Sequence, residues 1–308
     1  MLKKTFSIFL LLLISFFSFK GWYLLQKGFR LAKVTDPYNL FSTWEKEGSF
    51  YQMDPEIGVF YLASNVDNAF LENLFSQPFY FLGKGQQCFA FISEDQKYVL
   101  KVYRKDKLQI KPWYYLSFFS PLMRCQKANQ IKSFQRAKES LEIVKDKLAE
   151  ENHVLGIHLG RTKDLHLKAN LMDSLGRKKS LDLDSSYFVI QKKVEPLETV
   201  LRNTNAKQVE EISHQILQAV LERAKKGVRN KNRRCLANMG LYGGKVVEID
   251  LAEFTERSFD QKTFFKEVRK STRKYLQYLE KNHPSLALDF ERKLEALKGS
   301  YPSEEKKI

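Results

Sequence analysis

The stretch from Leu236 to Phe254 carries the residues best suited to chemistry. Asn238 precedes a short apolar run, a Gly243-Gly244 turn and a second apolar run that ends at Asp250. A Gly-Gly pair between two apolar runs predicts a hairpin, because such turns need positive φ. The hairpin would bring Asn238 and Asp250 together. An amide oxygen beside a carboxylate suits a hard cation such as Mg²⁺ that also holds phosphate.

A second constellation lies far upstream, between Phe81 and Arg104. Gly83 and Gly85 follow one apolar run and precede an alternating one, and a third run carries a single lysine, Lys101. This order predicts a strand, a glycine loop, a strand, a turn and a strand. Lys101 would point inward only where an anion meets it. The alternative is a lysine on the solvent face of an edge strand.

Together the two constellations resemble the protein kinase-like superfamily over about residues 75–255. The resemblance implies an α+β, two-lobed protein kinase-like fold. Its N-lobe is small, rich in β-strands and includes helix C, and its C-lobe is mainly helical. The resemblance further implies that the chain binds ATP with Mg²⁺.

The same resemblance assigns roles to single residues. Gly83 and Gly85 match the glycine loop over the ATP phosphates, and Lys101 in Val-Leu-Lys-Val matches the strand lysine that contacts the α- and β-phosphates. Asn238 matches the catalytic-loop asparagine. Asp250 in Asp-Leu-Ala matches the aspartate of Asp-Phe-Gly, so these two residues are the expected metal ligands.

A helix is predicted over Lys127–Asn152 from its apolar spacing. In the kinase-like frame it is helix C, which supplies a glutamate to pair with Lys101. Glu142 is preferred to Glu139 for this role. On an exposed face both would be ordinary solvated charges.

The hinge between the lobes is expected at Gln191–Pro196, where backbone groups meet adenine in the family. Lys192 and Val194 are therefore the candidate hinge contacts. An amphipathic helix over Ala206–Lys226 ends at Gly227, which favours a helix C-terminus there. A helix that runs into the catalytic loop follows the order of the family.

The departures from the family concern catalysis. No Asp occurs between Arg223 and Asp250, and Asn230 or Asn232 occupies the region of the catalytic carboxylate. An amide cannot accept the proton of a substrate hydroxyl as a carboxylate can. After Phe254 there is no Ala-Pro-Glu and no long activation segment. These features predict weak, atypical or absent phosphotransferase activity, as in an atypical kinase or a pseudokinase.

Composition favours a globular, basic protein. The chain has 308 residues, a hydrophobic fraction of 43% and a formal net charge of +16. Three cysteines without paired spacing argue against a disulfide framework. Seven of the twelve residues from Arg223 to Arg234 are basic, which favours anionic partners such as acidic lipid or a phosphorylated substrate. Nucleic acid is not expected, because no aromatic stacking motif accompanies the cluster.

The N-terminus resembles a targeting segment. Lys3 and Lys4 precede an apolar stretch over residues 5–25, long enough to span a bilayer if it remains attached. The bulky residues after Phe19 favour an uncleaved single-pass anchor with a cytoplasmic domain. A cleaved signal and an exported protein are the alternative.

The expected organisation has five parts. These are residues 1–25 as signal anchor or signal peptide, 26–75 as linker and lead-in elements, 76–195 as N-lobe, 196–302 as C-lobe, and 303–308 as a disordered tail. The function predicted from them is a membrane-anchored, kinase-like protein that binds Mg-nucleotide. The alternative is a non-catalytic membrane-surface or partner-binding module. It would use the basic cluster over Arg223–Arg234 and the aromatic segment over Pro112–Pro121.

Overall fold

The computed structural model describes residues 59–64, 66–104, 120–232 and 234–299, together with Phe29, Leu31 and Val34. For residues 120–128, 130, 131 and 134 it describes the backbone alone. The described strands are β1 Val59–Leu62, β2 Pro78–Lys84, β3 Cys88–Ser93, β4 Tyr98–Tyr103, β5 Val154–Leu159, β6 Lys168–Met172, β7 Lys178–Asp182, β8 Phe188–Lys192, β9 Glu195–Pro196, β10 Val228–Asn230, β11 Met239–Tyr242, β12 Lys245–Glu248 and β13 Phe254–Glu256. The described helices are α1 Asn68–Ser76, α2 Ser120–Ile143, α3 Leu197–Arg202, α4 Ala206–Lys225, α5 Cys235–Asn238, α6 Gln261–Asn282 and α7 Pro284–Ala296, with a π-helical turn over Val144–Leu148 and a 3₁₀ turn over Leu297–Gly299.

The N-terminal part of the fold is built on an eight-stranded sheet in the order β1-β5-β8-β4-β3-β2-β6-β7. Neighbouring strands are antiparallel except β2 and β6, which run parallel. The predicted strand, glycine loop, strand, turn and strand are β2, β3 and β4, so this prediction is confirmed. β4 lies between β3 and β8, in the middle of the sheet rather than at an edge.

The two faces of this sheet have different roles. Alternation along β3 places Phe89 and Phe91 on one face, which packs against α1 and against Phe29. Cys88 and Ala90 point the other way. That second face packs against α2 and the segment after Asp250. It is therefore the face that can form a site with the C-terminal part.

The C-terminal part is mainly helical. Both long helices, α4 and α6, begin with a capping box, in which the N-cap side chain (Asn205 or Asp260) and the residue three positions later exchange hydrogen bonds. Their apolar faces pack together around Tyr275, whose hydroxyl is 2.8 Å from the hydroxyl of Ser213. The predicted helix over Ala206–Lys226 is confirmed, and Gly227 follows it with a φ of 69°. Two short antiparallel pairings, β10 with β13 and β11 with β12, lie between these helices in sequence.

The arrangement is an α+β, two-lobed protein kinase-like fold. A curled sheet with one long helix, α2, precedes a helical lobe, as the sequence predicts. Helix α2 covers the position predicted for helix C. It starts earlier than the predicted Lys127 and gives way to the π-helical turn before the predicted Asn152.

The expected single-pass membrane location needs correction. No helix in the described ranges is both long and apolar enough to cross a bilayer, which contradicts it. Residues 5–25, on which the expectation rested, lie outside the described residues, as does the tail over 303–308.

Candidate functional site

Lys101 points into the protein from the central strand β4. Its side chain is buried, with 8% of the residue exposed. Its ammonium Nζ donates to the side-chain oxygen of Gln191 at 2.7 Å and to the backbone carbonyl of Ile249. The inward orientation predicted for a lysine that meets an anion is thus the one found.

The electrostatics around Lys101 explain its need for nearby anions. Burial lowers the pKa of Lys101, and the carboxylate of Asp250 is among the groups that oppose this shift without cancelling it. Burial likewise raises the pKa of the Cys88 thiol. The site therefore holds a desolvated ammonium close to the carboxylate of Asp250.

Asp250 is delivered by the predicted hairpin, which is confirmed. β11 pairs antiparallel with β12, and the turn residues Gly243 and Gly244 have φ values of 56° and 79°. The backbone carbonyl of Asn238 accepts from the N–H of Ile249 at 2.7 Å and from that of Asp250 at 3.4 Å. The hairpin thus brings Asn238 and Asp250 together through the backbone.

The two asparagines of the catalytic-loop region have different surroundings. Asn232 Nδ2 donates to Asp250 Oδ2 at 3.2 Å. Asn230 is buried and its Nδ2 donates to Glu248 Oε2 at 2.6 Å. The Oδ1 of Asn230 accepts from the N–H of Asn232 at 2.8 Å, so the buried Asn230 side chain stabilises the conformation of this loop. Asn232 is the one that lies beside Asp250.

The predicted pairing of Lys101 with Glu142 is not found. In the described part of the chain no hydrogen bond or ion pair joins Lys101 to Glu142 or Glu139. The physical reason is helical phase: the buried face of α2 carries Ala137, Ser140, Leu141 and the following Val144. Glu142 lies about 100° around the helix from Leu141 and is half-buried, and Glu139 is exposed.

Ser140 occupies the inward position on α2 instead. Its hydroxyl donates to the carbonyl of Leu251 at 2.6 Å and accepts from the N–H of Phe254 at 2.8 Å. The helix is thereby tied to the segment that follows Asp250. A neutral hydroxyl supplies this connection, and no charged side chain described on α2 bonds to Lys101.

The glycine loop joins β2 to β3. The N–H of Gly85 donates to the carbonyl of Cys88 at 2.9 Å, which closes the loop. Neither Gly83 nor Gly85 has positive φ, so the backbone conformation alone does not demand glycine. A Cβ at Gly83 would meet nothing within 4 Å, so the space beside it is open. That opening leaves room for a ligand to approach the backbone.

The predicted hinge follows β8. The N–H groups of Lys192 and Lys193 donate to the carbonyls of His153 at 3.1 Å and Lys97 at 2.8 Å. The ammonium of Lys192 lies 5.3 Å from the ring centroid of Tyr242, so the Lys192 side chain packs against the β11–β12 hairpin. Val194 is buried.

The hinge and β11 pack closely against each other at Gly240. A Cβ on Gly240 would lie 2.5 Å from the carbonyl oxygen of Glu195 and 2.5 Å from Cγ1 of Val194. Since real side chains do not tolerate such distances, β9 can pair with β11 here because residue 240 is glycine.

Two residues that carry the site were missed by sequence reasoning. Gln191 is 2% exposed and Glu248 is 5% exposed. Glu248 forms a buried ion pair with Arg223 and accepts from Asn230. The available signal was a polar residue at the end of an apolar strand, as in Phe-Val-Ile-Gln and Val-Val-Glu. Such residues need internal partners when buried.

The donor set fits a magnesium ion held together with phosphate. No group of three or more His, Cys, Asp or Glu side chains that could hold a metal occurs among the described residues. Asp250 offers a carboxylate and Asn238 an amide oxygen. The buried Nδ2 of Asn238 has no hydrogen-bond partner in the described structure, and as a donor it suits a phosphate oxygen rather than the metal. Mg²⁺ binds through one or two carboxylates plus phosphate oxygens and water, whereas a structural zinc site would need four protein ligands.

Comparisons with known proteins identify no family. No protein-family model matches the sequence, and no curated protein matches it. Among solved structures, the crystal structure of WbdD matches with 12% identity and a TM-score of 0.39, covering 80% of this chain and 55% of that one. A structure described as the bifunctional kinase-methyltransferase WbdD matches with 16% identity and a TM-score of 0.33, covering 71% and 44%.

A further match is the complex of Rv3197 with erythromycin from Mycobacterium tuberculosis, at 10% identity and a TM-score of 0.35. It covers 68% of this chain and 61% of that one. The chain thus spans about half of these proteins' lengths. At these scores the similarity adds nothing to the fold assignment, which rests on the order and pairing of the elements.

Proposed function

We propose that the region where Lys101 of β4 meets Ile249 and Asp250, after the β11–β12 hairpin, binds a nucleoside triphosphate, ATP, together with Mg²⁺. One observation carries the proposal: the buried ammonium of Lys101 donates to the carbonyl of Ile249, the residue next to Asp250. A desolvated cation beside a candidate metal ligand is the arrangement that phosphate groups and their metal require. The donor types around Asp250 support the same ligand.

Each part of the site has a role in this proposal. Lys101 contacts the phosphates, and Asp250 with Asn238 holds the metal. The open space at Gly83 supports a close approach of the loop backbone to phosphate. Because the N–H groups of Lys192 and Lys193 are bonded inside the protein, Val194 is the hinge residue left to meet the base.

Phosphoryl transfer from this site would be slow or absent. Asn232 donates to Asp250, which supports its proposed place in the region of the catalytic carboxylate. Its amide can orient an acceptor hydroxyl but cannot take its proton, and general-base assistance contributes typically about 10²–10⁴-fold. The proposed protein is therefore a weak atypical kinase or a nucleotide-binding pseudokinase.

The melting temperature of the full chain, with and without Mg-ATP, tests nucleotide binding. Ligand at about 100 times its dissociation constant should stabilise the fold by roughly 2.7 kcal/mol. Lys101→Ala should reduce the shift, because the variant binds Mg-ATP more weakly. Lys97→Ala, which changes a lysine whose side chain is 71% exposed in the turn before β4, should keep it. No shift at millimolar Mg-ATP, or an equal shift in Lys101→Ala, would contradict the proposal.

A second candidate function is a non-catalytic module that binds an anionic partner. The observation that favours it is the exposed loop around Asn232, where the side chains of Lys231 and Arg234 form no ion pair within the described residues. Calorimetry with inorganic tripolyphosphate separates the two. Binding that is lost in a Lys231→Ala, Arg234→Ala double variant but kept in Asp250→Ala would favour the partner-binding module.

A further inference from the structure

The side-chain amide of Gln191 has its complete set of partners. Its Nε2 donates to the carbonyl of Asn152 at 2.8 Å and to the carbonyl of Glu248 at 3.0 Å. Its Oε1 accepts from the ammonium of Lys101 at 2.7 Å. Both N–H groups of the amide are thus used by carbonyls, and its oxygen is used by the lysine.

These partners fix the orientation of the amide. A flipped amide would place its oxygen against two carbonyl oxygens and its N–H groups against an ammonium, which has donors only. Because Gln191 is buried, no water competes for these bonds. The oxygen of Gln191 is therefore a fixed acceptor aimed at Lys101.

The elements that hold this amide belong to the interior of the site. Gln191 lies on β8, Asn152 lies two residues before the start of β5, and Glu248 ends β12, two residues before Asp250. Asn152 Oδ1 also accepts from the N–H of Glu248 at 2.9 Å. The described side chains of helix α2 make no hydrogen bond to this amide, and Ser140 fills the inward position of the helix.

We propose that Gln191 is the residue that positions Lys101 for phosphate binding, in place of a glutamate on α2. The inference rests on the proposed nucleotide site. In a kinase that uses the helix-C glutamate, displacing the helix releases the lysine. Here Gln191, the side-chain partner of Lys101, is on the adjacent strand β8 of the same sheet. The hydrogen bond that orients Lys101 therefore does not depend on the position of α2.

A double-mutant cycle on Mg-ATP affinity tests the positioning role. Gln191→Met keeps the length of the side chain and removes the amide, so the dissociation constant should rise about tenfold, or about 1.4 kcal/mol. In a Lys101→Met background the same change should have no further effect, because Gln191 acts through Lys101. The matched control Glu142→Ala should stay within about twofold of wild type.

A conservative variant separates positioning from general structural support. Gln191→Glu keeps an acceptor oxygen for Lys101 but loses both donor bonds to the carbonyls of Asn152 and Glu248. It should keep Mg-ATP affinity within a few-fold of wild type while its urea midpoint falls. An affinity loss as large as that of Gln191→Met would overturn the proposal.

A stability cycle tests the same contact without nucleotide. The urea midpoints of Gln191→Met, Lys101→Met and the double variant should be non-additive, whereas Glu142→Ala and Lys101→Met should add. If the wild type does not bind Mg-ATP, the proposed function fails, and this cycle still decides whether Gln191 positions Lys101. Additivity for Gln191, or coupling between Lys101 and Glu142, would overturn the inference.

Discussion

The side-chain amide of Asn232 donates a hydrogen bond to the carboxylate of Asp250 at 3.2 Å. Asn230, two residues earlier in the same loop, donates instead to the buried carboxylate of Glu248 at 2.6 Å. The sequence places both asparagines in the region of the missing catalytic carboxylate, but their surroundings differ. The same substitution, asparagine to aspartate, should therefore have opposite consequences at the two positions.

Asn232→Asp should make the protein's stability dependent on magnesium. The change replaces a hydrogen bond to Asp250 by two adjacent carboxylates, whose repulsion a divalent cation relieves. The melting temperature should fall below that of wild type in EDTA and recover in millimolar Mg²⁺. ATP consumption should rise if nucleotide and metal are bound as proposed, because general-base assistance is typically worth about 10²–10⁴-fold.

Asp250→Ala is the negative control for the ATP-consumption measurement. A calcium-free buffer ensures that Mg²⁺ is the only divalent cation added in the melting experiments. Equal melting curves for Asn232→Asp in EDTA and in Mg²⁺ would show that residues 232 and 250 do not share a metal. Wild-type turnover at ordinary kinase rates, about 1–100 per second, would contradict the weak-kinase proposal.

Asn230→Asp should destabilise the fold rather than activate it. Asn230 is 4% exposed and faces Glu248, which is already paired with Arg223. A second buried carboxylate would be uncompensated, and breaking a buried charge arrangement costs about 3–5 kcal/mol. Urea unfolding should report a loss of this order. The exposed Asn73→Asp in α1 is the matched control and should stay within about 0.5 kcal/mol of wild type.

The parts of the fold predicted from sequence are those set by local chemistry. Gly243 and Gly244 supply the positive φ that the turn between β11 and β12 requires, and alternation marks β3. Gly227, with a φ of 69°, follows the predicted helix over Ala206–Lys226. Each of these signals lies within a few residues of the feature it specifies.

The side-chain partner of Lys101 could not be predicted from local sequence. It depends on the phase of α2 against a sheet built from residues far apart in sequence, and one residue on a helix turns the side chain by about 100°. Ser140 faces inward where a glutamate was expected, and Gln191, ninety positions from Lys101, supplies the acceptor. The contact between Lys101 and Gln191 depends on which side chains are buried and on which distant strands pair, and a single sequence shows neither.

Ser140→Ala should weaken the attachment of α2 to the segment after Asp250. The hydroxyl satisfies the carbonyl of Leu251 and the N–H of Phe254, and both groups would be left without this partner. An unsatisfied buried polar group costs about 1–3 kcal/mol, so urea unfolding should show a loss in that range or above it. The neighbouring, exposed Glu139→Ala should change stability by no more than about 0.5 kcal/mol. Equal effects of the two variants would mean that Ser140 does not hold the helix.

Asp184→Asn should reduce the acid sensitivity of the N-terminal sheet. Burial alone would raise the pKa of Asp184, but bonds from the Thr162 hydroxyl at 2.5 Å and the N–H groups of Leu165 and His166 at 3.1 and 2.9 Å outweigh it. The pKa in the folded protein is therefore lowered below the unfolded value of about 3.9. A carboxyl group with a lowered folded pKa stabilises the fold above the unfolded pKa, and this contribution is lost as the pH falls through the folded value.

The test is urea unfolding of wild type and Asp184→Asn at pH 7, 4 and 3. The variant should be less stable than wild type at pH 7, because an amide accepts these three bonds less well than a carboxylate. The difference should shrink as the pH falls below the unfolded pKa, because protonation of the wild-type carboxylate in the folded protein removes its advantage over the amide. Asp164→Asn, at an exposed position in the β5–β6 loop that donates to Asp184, serves as the control and should follow wild type at every pH. A stability gap for Asp184→Asn that stays constant with pH would show that the bonds to Asp184 do not depend on its ionisation.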